Sequence, residues 1–398
     1  MLNEHTTALD EALESELSAL GAAGLRRACR ECGGAPTGPR AVVDGREVVV
    51  LASNDYCDLA RDPRVVRAAA DAAARWGAGS GGSRLLTGTQ PPHAALERRL
   101  AAFKGTEDAV VFATGYMANL GTISALCGPG DAILSDALNH ASIIDGCRLS
   151  RAAVTVYRHG DMDDLARALD AARGARRVLV VSDAVFSMDG DLLDLPRFLA
   201  LCRGRGAVTM IDEAHATGVL GATGRGLCEH FGCGHPDVLM GTLSKALGSV
   251  GGYVAGSRTL CDYLRNRARP FVFSTSLPAS AMAAADAALA ALEAEPGRAA
   301  AARENAAFLV RELAARGVAA STQSAIVPIP VGDEATAVRA AARLLDEGFW
   351  IPAIRYPTVA RGAARLRASV MCSHTREDLA AAAAAVARAL HPEPRSPR

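Results

Sequence analysis

Between residues 108 and 256 the chain alternates short, unbroken apolar runs with stretches of helical character. The runs are Ala109–Phe112, Ala132–Leu134, Val178–Val181, Val208–Ile211, Val238–Met240 and Tyr253–Ala255. An unbroken apolar run reads as a strand buried on both faces. Strands that take turns with helices must lie mostly parallel, because only a long crossover joins parallel neighbours and a helix fills it. Asp161–Ala172, opened by Asp161 and Asp164 in a capping-box-like start, and Leu195–Cys202 are two such helices. The pattern predicts an α/β domain with a mostly parallel sheet and helices on both sides.

The flanks read differently. Residues 1–55 form an N-terminal arm, with a helix over 8–20, a Gly/Pro-rich turn over 33–39 and a strand pair around Ala41–Leu51. Asp62-Pro63 opens a helix as N-cap and first-turn proline, and Gly77 closes it. The large domain spans 56–295. Helices over 279–294 and 297–316 lead away from it. A strand (Ala325–Pro330), a helix (Glu334–Glu347), strands (Trp350–Ile354, Arg365–Met371) and an Ala-rich helix (Arg376–Leu390) make a small α+β C-terminal domain over 296–390. The Pro/Arg/Ser tail, 391–398, is expected to be disordered.

Composition removes several function classes. Over 398 residues, Lys plus Arg and Asp plus Glu each number 43, so the net charge is zero and the footprint of a nucleic-acid binder is absent. No apolar run is long enough for a bilayer, and the acidic, Leu/Ala-rich start is no signal peptide. Ten cysteines show no framework spacing, and the lone Cys29-x-x-Cys32 pair has no second pair at zinc-site distance. The expectation is a cytoplasmic protein with free thiols and no metal.

Only two of the 43 basic residues are lysines, Lys104 and Lys245. Arginine replaces lysine at most surface positions but cannot form a Schiff base, so a retained lysine marks a place where an amine is needed. Lys104 precedes Gly105 at a helix end, where a cation suits the dipole and glycine caps, and this local role accounts for it. Lys245 follows the run Val238–Met240 in Thr242-Leu-Ser-Lys245. Other polar groups fall at comparable strand ends: Gly115 and Tyr116, Asn139-His140, and Asp212-Glu-Ala-His215. Ligands of open parallel sheets bind beyond these ends. Helix-start amides for a phosphate, an aromatic or imidazole ring, a carboxylate, a histidine and an amine together fit pyridoxal 5'-phosphate.

The ordered segments Ser53-Asn-Asp-Tyr56, Gly79-Ser-Gly-Gly-Ser83, Thr114-Gly-Tyr-Met-Ala-Asn119, Leu138-Asn-His-Ala-Ser-Ile-Ile144, Val185-Phe-Ser-Met-Asp-Gly-Asp191, Asp212-Glu-Ala-His-Ala-Thr-Gly218, Gly241-Thr-Leu-Ser-Lys-Ala-Leu-Gly248, Phe273-Ser-Thr-Ser276 and Arg355-Tyr-Pro-Thr-Val359 resemble the α-oxoamine synthases, within the fold-type I (aspartate aminotransferase-like) pyridoxal-phosphate transferases. The resemblance runs from about Leu25 to His374. It implies that Lys245 carries the cofactor and later moves a Cα proton. Asp212 would pair with the pyridinium nitrogen, His215 with the phenolic oxygen, and His140 would stack on the ring. Ser187 would support the ring region, and Gly115, Tyr116 and Thr242 would hold the cofactor largely at its phosphate. Thr275 would reach the phosphate in the other subunit of a homodimer with shared sites. Arg367 would bind the amino-acid carboxylate with Asn54 nearby. Arg26 and Thr358 match acyl-substrate positions, and Arg355 lies in the same segment.

The implied reaction is a decarboxylative condensation of a small α-amino acid with an acyl thioester, on coenzyme A or a carrier protein. Thr114–Asn119 and Ile354–Val359 resemble the members that join L-alanine to a pimeloyl thioester for biotin. Gly88-Thr-Gln90 and Ser135–His140 resemble glycine-using members, and a specialised synthase of secondary metabolism is a further alternative. The usual Asn-Asp-Tyr-Leu-Gly-Leu reads Cys57-Asp58-Leu59 in its second half, which is expected to bring a thiol and an acid near the substrate entrance. Lys245 with Asp212 and His215 argues against a non-catalytic subunit.

Overall fold

A computed structural model describes residues 7–33 and 38–391. Part of the 33–39 turn and residues 392–398 of the expected tail lie outside the described residues. Strands β1 (Cys32–Gly33), β2 (Arg40–Val43) and β3 (Arg46–Val50) come first. Then follow β4 (Asp108–Phe112), β5 (Ala132–Asp136), β6 (Ala153–Tyr157), β7 (Val178–Asp183), β8 (Val208–Asp212), β9 (Val238–Thr242) and β10 (Gly252–Gly256). The C-terminal part holds β11 (Ile326–Gly332), β12 (Phe349–Trp350), β13 (Ala353–Ile354) and β14 (Ala364–Ser369).

The central sheet has seven strands in the order β4-β10-β9-β8-β7-β5-β6. Strands β5 to β9 run parallel, and β10 is antiparallel to both its neighbours. Apolar side chains cover both faces, with Val180, Ile211, Leu239 and Ala255 in one cluster and Leu179, Val181, Met210 and Val254 in the other. This two-sided burial is what the unbroken apolar runs require.

Six of the seven strands coincide with those runs. Strand β6 was not expected, and it closes one edge with Val154 and Val156 exposed. Thr155 interrupts its apolar run, so only strand pairing identifies it. The helices Ala141–Ser150 and Arg258–Arg267 also went unread. The single strand expected over Trp350–Ile354 divides instead. Phe349–Trp350 pairs parallel with β3, whereas Ala353–Ile354 pairs with β14. Pro352 between them has no N–H to extend either ladder, and its carbonyl accepts from Arg367 N at 3.0 Å.

The three-stranded sheet β11-β14-β13 has its own apolar core. Leu366, Ala368 and Val370 pack there against Leu379 and Val386 of helix Arg376–Leu390 and against Val49 and Leu51. Helix Pro63–Trp76 begins with Asp62 accepting from Arg64 N and ends at Gly77, whose φ of 87° a side chain would resist. No helix among the described residues is long and apolar enough to cross a membrane.

Candidate active site

The parallel strands deliver polar residues to one end of the sheet. Strands β7, β8 and β9 end in Asp183, Asp212 and Thr242, and the chain after β5 turns through Asn139 into His140, the N-cap of helix Ala141–Ser150. Beyond β4, Thr114 caps helix Gly115–Leu126, its Oγ1 accepting from Met117 N at 3.0 Å. Close approach favours glycine at 115. A Cβ there would sit 3.2 Å from Met240 Cε and 3.3 Å from Thr242 Oγ1.

These ends enclose a cavity of about 190 Å³. Lys245, Asp212, His140, His215, Ser187, Gly115, Tyr116 and Thr242 all line it. Among the expected cofactor residues, Thr275 alone does not. It bridges to Ser83 and lines a separate pocket with Arg84 and Phe271.

The charges inside are set by burial. The Lys245 amine has no hydrogen-bond partner among the described residues, although its backbone carbonyl accepts from Gly248 N at 2.9 Å, and burial lowers the amine's pKa, opposed by Asp212 and Asp183 and reinforced by Arg367. Burial holds His215 well below the usual histidine range, with Lys245 and Arg367 pushing the same way. It also lowers His140, although Asp212 pulls upward. Asp183 is driven well above the usual carboxylate range by burial and by Asp212, while the His140 N–H donated to it opposes.

Hydrogen bonds aim the groups. Asp212 Oδ1 accepts from Ala214 N at 2.8 Å and Oδ2 from Asn119 Nδ2 at 2.7 Å. His215 Nδ1 lies 2.7 Å from the Tyr56 hydroxyl, which meets Asn54 Oδ1 at 3.1 Å. Arg367, buried, donates from Nε to Ser187 O at 2.5 Å and from Nη1 to Ser369 Oγ at 2.7 Å. Its contacts to Asn54 Oδ1 are longer, at 3.4 and 3.5 Å. Arg367 and Asn54 therefore stand beside His215 and Ser187.

Arg26, Arg355 and Thr358 lie elsewhere in this chain. Arg355 donates to Gly24 O at 2.8 and 3.1 Å and lines a second cavity, of about 410 Å³, with Leu25, Arg339 and Arg361. Arg26 and Thr358 are exposed. Cys57 corrects another expectation. It is fully buried in the apolar core, its thiol donating to Gly218 O at 3.0 Å, because its side chain fills a core position rather than the substrate entrance. Asp58 takes a φ of 50°, the left-handed region that glycine enters without strain.

Lys104 is a second correction. It is not held at a helix end by the dipole alone. Its ammonium is buried and donates to Glu213 Oε2 at 2.6 Å, Thr217 Oγ1 at 2.7 Å and Arg225 O at 2.7 Å. Burial, the largest single effect, would lower its pKa, but Glu213 and Tyr253 together outweigh it and the net shift is upward. Gly105 does cap the helix, with a φ of 67°.

Sequence reasoning passed over Asp183, Asn119, Ser142 and Tyr56, and a histidine clamp beside the site. His159 Nδ1 meets Asp136 Oδ1 at 2.9 Å and Nε2 meets Asp191 Oδ2 at 2.8 Å. The two carboxylates raise its pKa to about 10 against the opposing effect of burial. The clamp joins the turn leading to His140 to the hairpin that carries Ser187.

This fold, with a half-buried lysine and an aspartate lining one cavity at the sheet's carboxyl end, is that of the fold-type I transferases. The aminotransferase class I and II family matches residues 46–386, and the chain belongs to that family and, within it, to the pyridoxal-phosphate-dependent α-oxoamine synthases. Its sequence is 50% identical to 8-amino-7-oxononanoate synthase of Geobacter sulfurreducens over 384 residues, covering 96% of this chain and 98% of the relative. It is 51% identical to a putative 8-amino-7-oxononanoate synthase of Desulfovibrio desulfuricans, covering 89% and 93%. The fold is similar to Sphingomonas wittichii serine palmitoyltransferase, with a TM-score of 0.89, 35% identity and coverage of 96% and 98%. A serine palmitoyltransferase structure with a PLP internal aldimine gives 0.90 and 34%, with the same coverage.

Proposed function

We propose that the chain condenses L-alanine with a pimeloyl thioester, on coenzyme A or a carrier protein, to give 8-amino-7-oxononanoate, carbon dioxide and the free thiol. Pairing of this site with near-full-length identity of about 50% to synthases of that name supports the reading. The observation that carries it is Lys245, a half-buried amine without a hydrogen-bond partner among the described residues, which lines one cavity with Asp212 and the start of helix Gly115–Leu126.

The residues present fit pyridoxal phosphate. Glycine at 115 leaves the helix-start amides uncrowded for a phosphate, and the Thr242 and Ser244 side chains line the same cavity, Thr242 Oγ1 donating to Gly251 O at 2.9 Å. Asp212 has acceptor capacity left after its two N–H bonds. When bound, the cofactor supplies a carbonyl that takes up an amine and an electron sink for the adjacent carbanion.

The chain's own groups supply the rest. The lowered pKa of Lys245 makes its amine available to hold the cofactor and to take and return the Cα proton of the amino acid. Arg367 would bind the amino-acid carboxylate, with Ser187 O and Ser369 fixing its guanidinium plane. His215, anchored by Tyr56, would bond the phenolic oxygen. His140, which lines the same cavity, would stack on the ring.

Thr275, outside the cavity of its own chain, would serve the site of a second copy, so the working unit is a homodimer. Ten free cysteines accord with a cytoplasmic enzyme. The serine palmitoyltransferase likeness favours, as a second reading, serine with a longer acyl thioester.

The test supplies purified enzyme and pyridoxal phosphate with alanine, glycine or serine against pimeloyl, acetyl and palmitoyl thioesters. Mass spectrometry of the product and carbon dioxide release are the readouts. Alanine with pimeloyl thioester is expected to dominate, and a preference for any other pair sinks the specific reaction. Lys245→Ala should abolish the near-ultraviolet/visible absorbance of the loaded enzyme, and persistence of that band would remove Lys245 from its role.

A further inference from the structure

A polar chain runs along one wall of the cavity and links two groups that the reaction needs in defined states. Asn119 is fully buried on helix Gly115–Leu126. Its Nδ2 meets Asp212 Oδ2 at 2.7 Å and Ser142 Oγ at 2.8 Å. Ser142 Oγ lies 2.8 Å from His140 Nδ1, and the Ser142 backbone N–H donates to the same nitrogen at 3.2 Å.

The donors that cannot accept set the direction of the bonds. An amide nitrogen carries two hydrogens and accepts none, so one goes to Asp212 and the other to Ser142 Oγ. The Ser142 backbone N–H can only donate, and at 3.2 Å it takes the lone pair of His140 Nδ1. That nitrogen therefore carries no proton, and the Ser142 hydroxyl is the donor in their 2.8 Å contact. The reversed amide would set a carbonyl oxygen 2.7 Å from a carboxylate oxygen, two acceptors with no hydrogen between them. The groups that face His140 from elsewhere are Asp183, which accepts its backbone N–H, with Asp212 and Lys245 acting through charge.

We propose that Asn119 and Ser142 are positioning residues that hold His140 as the neutral imidazole protonated at Nε2 and, through the same amide, hold Asp212 as an acceptor for the cofactor ring nitrogen. The inference rests on the reading of His140 and Asp212 as cofactor contacts. Its chemical sense is that a cation at His140 would oppose the positive ring that Asp212 is there to stabilise. One amide thus excludes charge on one side of the ring and accepts it on the other.

The test uses the full-length protein without cofactor, labelled with 15N-histidine, with His140 assigned by comparison with His140→Asn. Long-range proton–nitrogen correlation spectra separate Nδ1–H, Nε2–H and doubly protonated rings. The wild type is expected to show only the Nε2–H form at neutral pH. In Asn119→Asp the amide hydrogens are lost, the Ser142 hydroxyl turns to the new carboxylate, and His140 should become doubly protonated. Ser142→Ala, a smaller change, should release the Nδ1–H form into a mixture and serves if Asn119→Asp does not fold. A protonated Nδ1 in the wild type, or an unchanged pattern in the folded variants, overturns the proposal. A pinned tautomer in a protein that gives no absorbance with added pyridoxal phosphate would support this network while removing the cofactor reading.

Discussion

Arg367 shows how one side chain can be held in place and still be free to bind. Ser187 O and Ser369 take Nε and one Nη1 hydrogen, while its contacts to Asn54 are long enough to yield to a carboxylate. Arg367→Ala should raise the KM for the amino acid roughly 30-fold, equivalent to about 2 kcal/mol of charge-assisted bonding, with a smaller effect on kcat. An unchanged KM would sink the assignment. Lys104 makes the opposite case, a cation committed entirely to structure. Replacing it with methionine leaves Glu213 charged and buried without its partner. Lys104→Met should cost about 3–5 kcal/mol, read from urea unfolding midpoints, and a loss below about 1 kcal/mol would show that the pair does not act as described. Lys245 was legible because scarcity singled it out and a strand end located it. The partner of Lys104 was not, since Glu213 lies 109 positions away and the local helix-end signal was already sufficient. Asp183 was hidden for a related reason: the apolar run stops at Val181, so Ser182-Asp183 reads as loop although β7 continues through it.

At the scale of elements, the site depends on loops that two carboxylates and one imidazolium tie together. His159 has a folded-state pKa of about 10, above the ordinary value of about 6.5. Its stabilisation is therefore complete below about pH 6.5 and is lost as pH rises through about 10. The thermal midpoint of the wild type should fall between pH 8 and pH 10.5, and His159→Gln should start lower and fall less over that interval. Parallel pH curves for the two proteins would rule the clamp out. Buried strands were readable from unbroken apolar runs because both faces meet helices. The edge strand β6 and the divided segment around Pro352 depend on which neighbour offers a pairing edge, and that choice lies outside the local sequence.

For the whole molecule, one chain leaves a cofactor contact unaccounted for and an apolar surface uncovered. Leu86 is 80% exposed and Phe273, two residues before Thr275, is 71% exposed. If these surfaces meet in a homodimer, Leu86→Glu should convert a two-chain species to a one-chain species in sedimentation velocity. It should also weaken binding of pyridoxal phosphate, because Thr275 of a second copy is withdrawn. A dimer that persists with unchanged cofactor binding would sink the shared-site arrangement. The scarcity of lysine has a practical consequence on the same scale. Lys104 is sealed in its ion pair and Lys245 opens only into the cavity, so an amine-directed ester finds at most one reactive side chain. Covalent coupling of this protein through lysine to a dye or a resin would proceed through its active centre, and labelling at Lys245, separated from the chain's terminal amine by peptide mapping, would read how many centres stand open.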